Sequence, residues 1–203
     1  MENMENKVVI ASRNEGKIKE IKDVLSKYGM EAVSRDEFGI PKFEVEETGE
    51  TLEENSIIKA KAIFELINES VIADDSGLEV DALCGRPGVY SARYAGEHCS
   101  MQDNRDKMLR ELKGVPAENR TARFVSVITL ILSDGERLIA RGECKGRIAS
   151  EERGDAGFGY DPIFIPDGFD ISFAEMSQEQ KNSISHRGMA LKRLEELIGE
   201  RSK

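Results

Sequence analysis

Val71-Ile72-Ala73-Asp74-Asp75-Ser76-Gly77 is the stretch on which the fold turns. The apolar triplet reads as a short buried strand that ends at Asp74. Two carboxylates at the end of such a strand are costly to bury unless a cation or a proton-transfer role uses them. Side chains alternate faces along a strand, so Asp74 and Asp75 point to opposite sides. One then faces a cleft while the other is held by backbone donors. The only ligand atoms on offer are hard oxygens, which favour Mg²⁺ over zinc or iron. A plain Asx-type turn is the competing reading of Asp-Ser-Gly, and the rest of the chain decides between the two.

Upstream, Lys7-Val8-Val9-Ile10-Ala11 reads as a first strand. After a polar turn, Ile18, Ile21, Val24, Leu25 and Tyr28 recur at helical spacing, with Gly29 just past the end. Phe43 to Val45 is a candidate short strand. A second helix follows, in which Ile58, Ala62 and Leu66 form the apolar stripe, flanked by Ile63 and Ile67. Downstream, Gly85-Arg86-Pro87-Gly88 is a turn cluster. Ser100 opens a helix with Asp103 three residues on, and its stripe is Met101, Arg105, Met108, Leu109 and Leu112. Thr121–Leu132 and Arg137–Ala149 read as two long strands joined at Ser133-Asp134-Gly135-Glu136. A glycine-rich loop, Gly154 to Asp161, runs into Pro162-Ile163-Phe164-Ile165. The last helix carries Leu191, Leu194, Leu197 and Ile198, with Gly199 as its cap. Helices interleaved with strands, plus one hairpin, define an α/β protein with a mixed sheet.

With 203 residues the chain reads as one domain, covering residues 1–203. It holds 39 acids against 29 bases, a net charge of -10. That sign argues against a nucleic-acid partner. A polyanionic small substrate then needs a local basic patch and a metal. Cys84, Cys99 and Cys144 are odd in number and far apart. Reduced thiols and a cytoplasmic location follow. The polar N-terminus is no signal peptide, and Phe124 to Leu132 is too short to cross a bilayer.

Four segments carry chemistry. Ser12-Arg13-Asn14-Glu15-Gly16-Lys17 lies between a strand and a helix N-terminus, where free N–H groups make an anion site. It has neither the Walker nor the dinucleotide pattern. Glu46-Glu47-Thr48-Gly49 precedes Glu54-Asn55 and Lys59, and Asn55 and Lys59 share a helix face. The helix dipole accounts for Glu50, Glu53 and Glu54 but leaves Glu46 unexplained. Gly157-Phe158-Gly159-Tyr160-Asp161 offers aromatic faces for a flat ring and an acid to read its donors. Lys181 and Ser185-His186-Arg187 lead into the last helix, and Lys181 and Arg187 supply positive charge. Together these make a phosphate cradle, an acidic metal site, a base slot and a basic clamp.

In this order the motifs resemble the inosine/xanthosine triphosphate pyrophosphatase family. The match runs through Ser12 to Lys17, Glu46 to Gly49, Glu54-Asn55 with Lys59-Ala60, and Asp74 to Leu78. It continues through Gly85 to Tyr94, Phe158 to Pro162 and Ser185 to Arg187. Members of that family often carry Thr where this chain has Ser12; the hydroxyl is kept. The resemblance implies an elongated, two-lobed α/β fold with a long mixed sheet flanked by helices, an active-site cleft between the lobes, and a homodimer. It implies Mg²⁺-dependent hydrolysis of ITP, dITP and XTP to the monophosphate and pyrophosphate. It assigns the phosphates to Ser12, Arg13, Asn14, Glu15, Gly16 and Lys17, and Mg²⁺ to Glu46 and Asp75. Asp75 is also its proton acceptor. Spacing alone leaves Asp74 and Asp75 equal; the resemblance selects Asp75. Lys59, Ser76 and Lys181 touch substrate, while Phe158, Gly159, Tyr160, Asp161, His186 and Arg187 hold the base. A related hydrolase for modified pyrimidine or other nucleotides, and a nucleotide-binding module without turnover, are the alternatives. No membrane or nucleic-acid partner is expected.

Overall fold

A computed structural model describes residues 7–12, 14–41 and 45–201. Its elements are, in chain order, β1 (Lys7–Ile10), α1 (Glu15–Ser26), β2 (Glu31–Ser34), α2 (Leu52–Ile67), β3 (Ser70–Val80), α3 (Met101–Glu111), β4 (Thr121–Ile131), β5 (Arg137–Ile148), β6 (Phe164–Pro166), α4 (Gln178–Ile184) and α5 (His186–Arg201). Six strands form one sheet in the order β2-β1-β3-β4-β5-β6. β1 is parallel to β2 and to β3, and β5 is antiparallel to β6. The expected α/β class with a mixed sheet and flanking helices is therefore observed.

The chain divides into two compact units. One comprises residues 1–75, 127–141 and 190–203; the other comprises residues 76–126 and 142–189. In the first unit the sheet is apolar on both faces. Ile10, Ile72, Ile128 and Leu130 pack with Ile21 and Leu25 of α1 and with Leu191 and Leu194 of α5. Val9, Val71 and Ala73 pack with Ala60 and Ile63 of α2. A strand covered on both faces loses polar alternation, which is why Val71-Ile72-Ala73 is a continuous apolar run. In the second unit, Leu78, Met108, Leu112, Phe124, Phe164 and Phe173 lie within a separate core. Phe164 meets Phe124 edge to face at 4.6 Å.

Several expectations are corrected. β3 does not stop at Asp74; it runs on to Val80, so both acids lie inside the strand. The buried face of α2 is Leu52, Asn55, Ser56, Ala60 and Ile63, whereas Leu66 is 62% exposed. The stripe was misplaced because Asn55 and Ser56 are buried polar residues: Asn55 accepts from Gly49, and Ser56 pairs with Thr129 of β4. Gly199 lies inside α5, which continues to Arg201. Arg201 reaches Asp134 and Glu136 in the β4–β5 turn, each at 2.7 Å. Strand β2 and the seven-residue α4 were not anticipated. Of the candidate strand at residues 43–45, Phe43 and Glu44 lie outside the described residues.

The capping box at Ser100 and Asp103 forms as expected. The hairpin also forms, with Gly135 N–H donating to Leu132 O at 2.8 Å and Leu132 N–H to Glu136 O at 2.9 Å. Among the described residues no helix is long and apolar enough to cross a membrane.

Candidate active site

In the first unit the geometry starts from the alternation of β3. Asp74 follows Ile72 in parity and so points to the face covered by α1. There Asp74 Oδ2 meets Lys17 Nζ at 2.6 Å. Asp75 follows Ala73 and points to the face covered by α2, where Lys59 Nζ donates to Asp75 Oδ1 at 2.7 Å. The two carboxylates do point to opposite sides, but each is met by a lysine. Both are buried, at 5% and 9% exposure. Burial pushes the Asp75 carboxyl above its usual range, and the Lys59 ammonium works against that rise. Asp75 Oδ2 is buried with no hydrogen-bond partner among the described residues.

The Glu46–Gly49 segment is tied down by Asn55. Gly49 N–H donates to Asn55 Oδ1 at 2.8 Å. A Cβ on Gly49 would lie 2.7 Å from that same oxygen, so only glycine allows the approach. Lys59 lies 3.5 Å from Glu47 Oε1 as well as on Asp75. Glu46 itself is exposed. The sequence reading placed Glu47 within the Glu46–Gly49 motif but gave it no role of its own; its contact with Lys59 appears only in the structure.

The first motif forms a helix entry. Asn14 caps α1 and accepts from Lys17 N–H at 3.1 Å, while Asn14 N–H donates to Ser12 Oγ at 3.1 Å. Glu15 and Gly16 are exposed in the first turn. Arg13 lies outside the described residues.

In the second unit, Ser76 donates to Ser126 Oγ at 3.1 Å. A Cβ on Gly77 would collide with the Gly88 carbonyl oxygen, which explains the glycine in Asp-Asp-Ser-Gly. Ser91 ties that turn to β3, accepting from Leu78 N–H at 2.8 Å and donating to Gly88 O at 2.6 Å.

The aromatic loop is built around Asp161, which is buried. Asp161 Oδ2 accepts from Phe158 N–H at 2.6 Å and from Lys181 Nζ at 2.5 Å. That oxygen is thereby committed to the loop. Gly157 has φ +92°, and a Cβ there would lie 2.6 Å from Asp161 Oδ2; Gly159 has φ +62°. The two glycines thus let the backbone turn around Asp161. Tyr160 is buried and donates to Ser91 O at 2.9 Å. Phe158 remains 64% exposed. His186 stacks on Phe124 with ring centres 4.9 Å apart, which fixes its ring plane. Arg187 follows it on the first turn of α5.

Among the described residues no three His, Cys, Asp or Glu side chains come together to hold a metal. Mg²⁺ with a phosphate ligand needs only one or two protein carboxylates, since phosphate and water oxygens fill the other positions. Asp75 Oδ2, buried and without a hydrogen-bond partner among the described residues, fits that requirement.

Fold and site together define an α/β protein with a lysine-paired acidic strand and an aromatic loop folded on a buried aspartate. The chain belongs to the Ham1 family, whose profile matches residues 8–197. It is 50% identical over 190 residues to the dITP/XTP pyrophosphatase of Bacillus subtilis (strain 168), covering 94% of this chain and 96% of that protein. It is 47% identical over 192 residues to the protein of that name from Oceanobacillus iheyensis, covering 95% and 98%. Among solved structures, the Staphylococcus aureus Ham1 protein superposes with a TM-score of 0.89 at 45% identity, covering 96% of this chain and 99% of that one. A HAM1 protein from Coxiella burnetii gives 0.88 at 39% identity, covering 96% and 98%.

Proposed function

We propose that the whole chain acts as a Mg²⁺-dependent nucleoside triphosphate pyrophosphatase. Its substrates are the non-standard purine nucleotides ITP, dITP and XTP. It cleaves between the α and β phosphates, releasing the monophosphate and pyrophosphate, and so clears the nucleotide pool in the cytoplasm. The observation that carries this reading is Asp75: a buried carboxylate with one oxygen on Lys59 and the other without a hydrogen-bond partner among the described residues. The relatives named dITP/XTP pyrophosphatase support the substrate class.

Asp75 takes the proton of the attacking water. A carboxyl raised by burial lies nearer the range in which a general base works at neutral pH. Lys59 orients that carboxylate. Glu46 and Asp75 are the proposed Mg²⁺ ligands. When bound, the ion neutralises phosphate charge and lowers the pKa of the attacking water. The helix-entry turn at Ser12, Arg13, Asn14, Glu15, Gly16 and Lys17 takes the phosphates, and Lys59, Ser76 and Lys181 touch the substrate. Phosphoryl chemistry depends mainly on such positioning and charge neutralisation. Phe158, Gly159, Tyr160, Asp161, His186 and Arg187 take the base. Hypoxanthine and xanthine present a 6-oxo acceptor where adenine presents a 6-amino donor. A slot that donates to O6 leaves buried groups unpaired against adenine, a mismatch that discriminates strongly.

The test is a product assay with Mg²⁺ and ITP, XTP, dITP, GTP, ATP and dUTP, separating pyrophosphate from single phosphate. Pyrophosphate and monophosphate from ITP, dITP and XTP, with ATP nearly untouched, is the expected result. Pyrophosphate from dUTP instead would overturn the base assignment, and no product from any would overturn the enzyme. The working form is proposed to be a homodimer, as the family resemblance implies; sedimentation at the mass of one chain would refute that.

A further inference from the structure

We infer that Arg105 is a positioning residue that holds the aromatic loop in its base-binding shape. The inference rests on the proposed function for what the loop binds, but its geometry stands apart. Arg105 Nη1 donates to Gly159 O at 2.9 Å. Gly159 N–H donates to Met101 Sδ at 3.1 Å. Both backbone polar groups of the left-handed Gly159 therefore end on the first turns of α3.

The guanidinium is itself held. Its Nε donates to Glu152 Oε1 at 3.0 Å and its Nη2 to Gln102 Oε1 at 2.5 Å. Gln102 Nε2 donates to the same Glu152 oxygen at 2.6 Å. The Arg105 side chain is only 14% exposed. A planar fork bonded along three directions orders a backbone carbonyl in a way that a flexible ammonium does not.

The brace matters because of Phe158. Its ring is exposed, so packing does not set its direction. Its own amide is pinned to Asp161 and the next residue is pinned to α3, so the backbone presents the ring. Arg105 also sits in the apolar stripe that the sequence suggests for α3, an anomaly this contact explains. None of Met101, Gln102, Arg105 and Glu152 belongs to the proposed phosphate or metal sets, so their effect falls on the base end of the substrate.

The test compares Arg105→Ala with the wild type on whichever triphosphate the wild type hydrolyses fastest. KM is expected to rise about tenfold, the loss of one charge-assisted hydrogen bond. The kcat is expected to stay within about twofold, the mark of lost uniform binding. Inhibition by inorganic pyrophosphate, which lacks a base, stays unchanged. Arg105→Lys recovers part of the loss, and Glu152→Gln gives a smaller rise in KM. Hydrogen exchange at the Phe158 and Gly159 amides is expected to quicken about tenfold in Arg105→Ala, reflecting local opening rather than global unfolding. That arm needs no turnover, so it still decides on the brace if the wild type hydrolyses none of the triphosphates. Unchanged KM with unchanged exchange overturns the inference. So does an equal weakening of pyrophosphate, which would make Arg105 a general structural residue. If Arg105→Ala fails to fold, Arg105→Lys and Glu152→Gln carry the same comparison.

Discussion

Asp74 and Asp75 show how one residue step separates two environments. Consecutive strand residues face opposite ways, so Asp74 meets Lys17 of α1 and Asp75 meets Lys59 of α2. Removing one partner of a buried ion pair leaves an uncompensated charge, so these lysines serve the fold as well as the site. Asp75→Asn keeps the shape and can still accept from Lys59, but it removes the proton acceptor. Turnover of ITP is expected to fall by about 10²-fold or more, with the far-UV circular dichroism spectrum unchanged. Turnover near the wild-type level would take Asp75 out of the catalytic role. The asparagine and glycine of the motifs read as chemistry but also do structural work: Asn55 and Gly49 anchor the acidic segment, and Gly157 makes room for Asp161.

Among the elements that sequence periodicity did not reveal is β2. Four residues, Glu-Ala-Val-Ser, are too short for a two-residue alternation to stand out. Its end is held instead by side chains from neighbouring segments. Glu37 Oε2 accepts from Ser34 N–H at 2.6 Å, and Lys22 Nζ bonds the same carboxylate at 3.0 Å. The Ser34 amide, the Lys22 ammonium and the Ser34 hydroxyl hold the Glu37 carboxyl well down, at about 2. A depressed carboxyl contributes stability that is present above its unfolded pKa, near the ordinary 4.5, and is lost as pH falls towards the folded value of about 2. Glu37→Gln is therefore expected to lower Tm at pH 7 and to converge with the wild type by about pH 2. A difference in Tm that stays constant across that window would show that the carboxylate does not hold the strand end. The effect is small, because the group is exposed and salt screens it.

At the scale of the whole molecule, each unit is assembled from distant pieces of chain. The core of the first unit draws Val8, Ile10 and Ile72 from residues 1–75, but Ile128, Leu130, Leu191 and Leu194 from residues 127–141 and 190–203. A fragment of residues 1–75 lacks the far side of its own core. It is expected to be unfolded by circular dichroism and to show no cooperative thermal transition. A cooperative transition would overturn the view that the long-range segments complete that core. Such non-local closure means that the fold is decided late, when strands far apart in sequence come together.

Local signals in the chain determined its α/β class, the long hairpin, the capping box at Ser100 and Asp103, and the motif order that identifies the family. These depend on residue type and short-range spacing. Tertiary structure alone decided which face of α2 is buried, because Asn55 and Ser56 lie inward on hydrogen bonds that no apolar stripe announces. It alone carried β3 past the acids to Val80 and paired each acid with its own lysine. Helix α5 continues through Gly199, and the ion pairs of Arg201 are long-range contacts with the β4–β5 turn. The bracing of Gly159 by Arg105 was invisible for the same reason. It joins residues 54 positions apart, and a hydrogen bond between such distant groups exists only once the chain has brought them together.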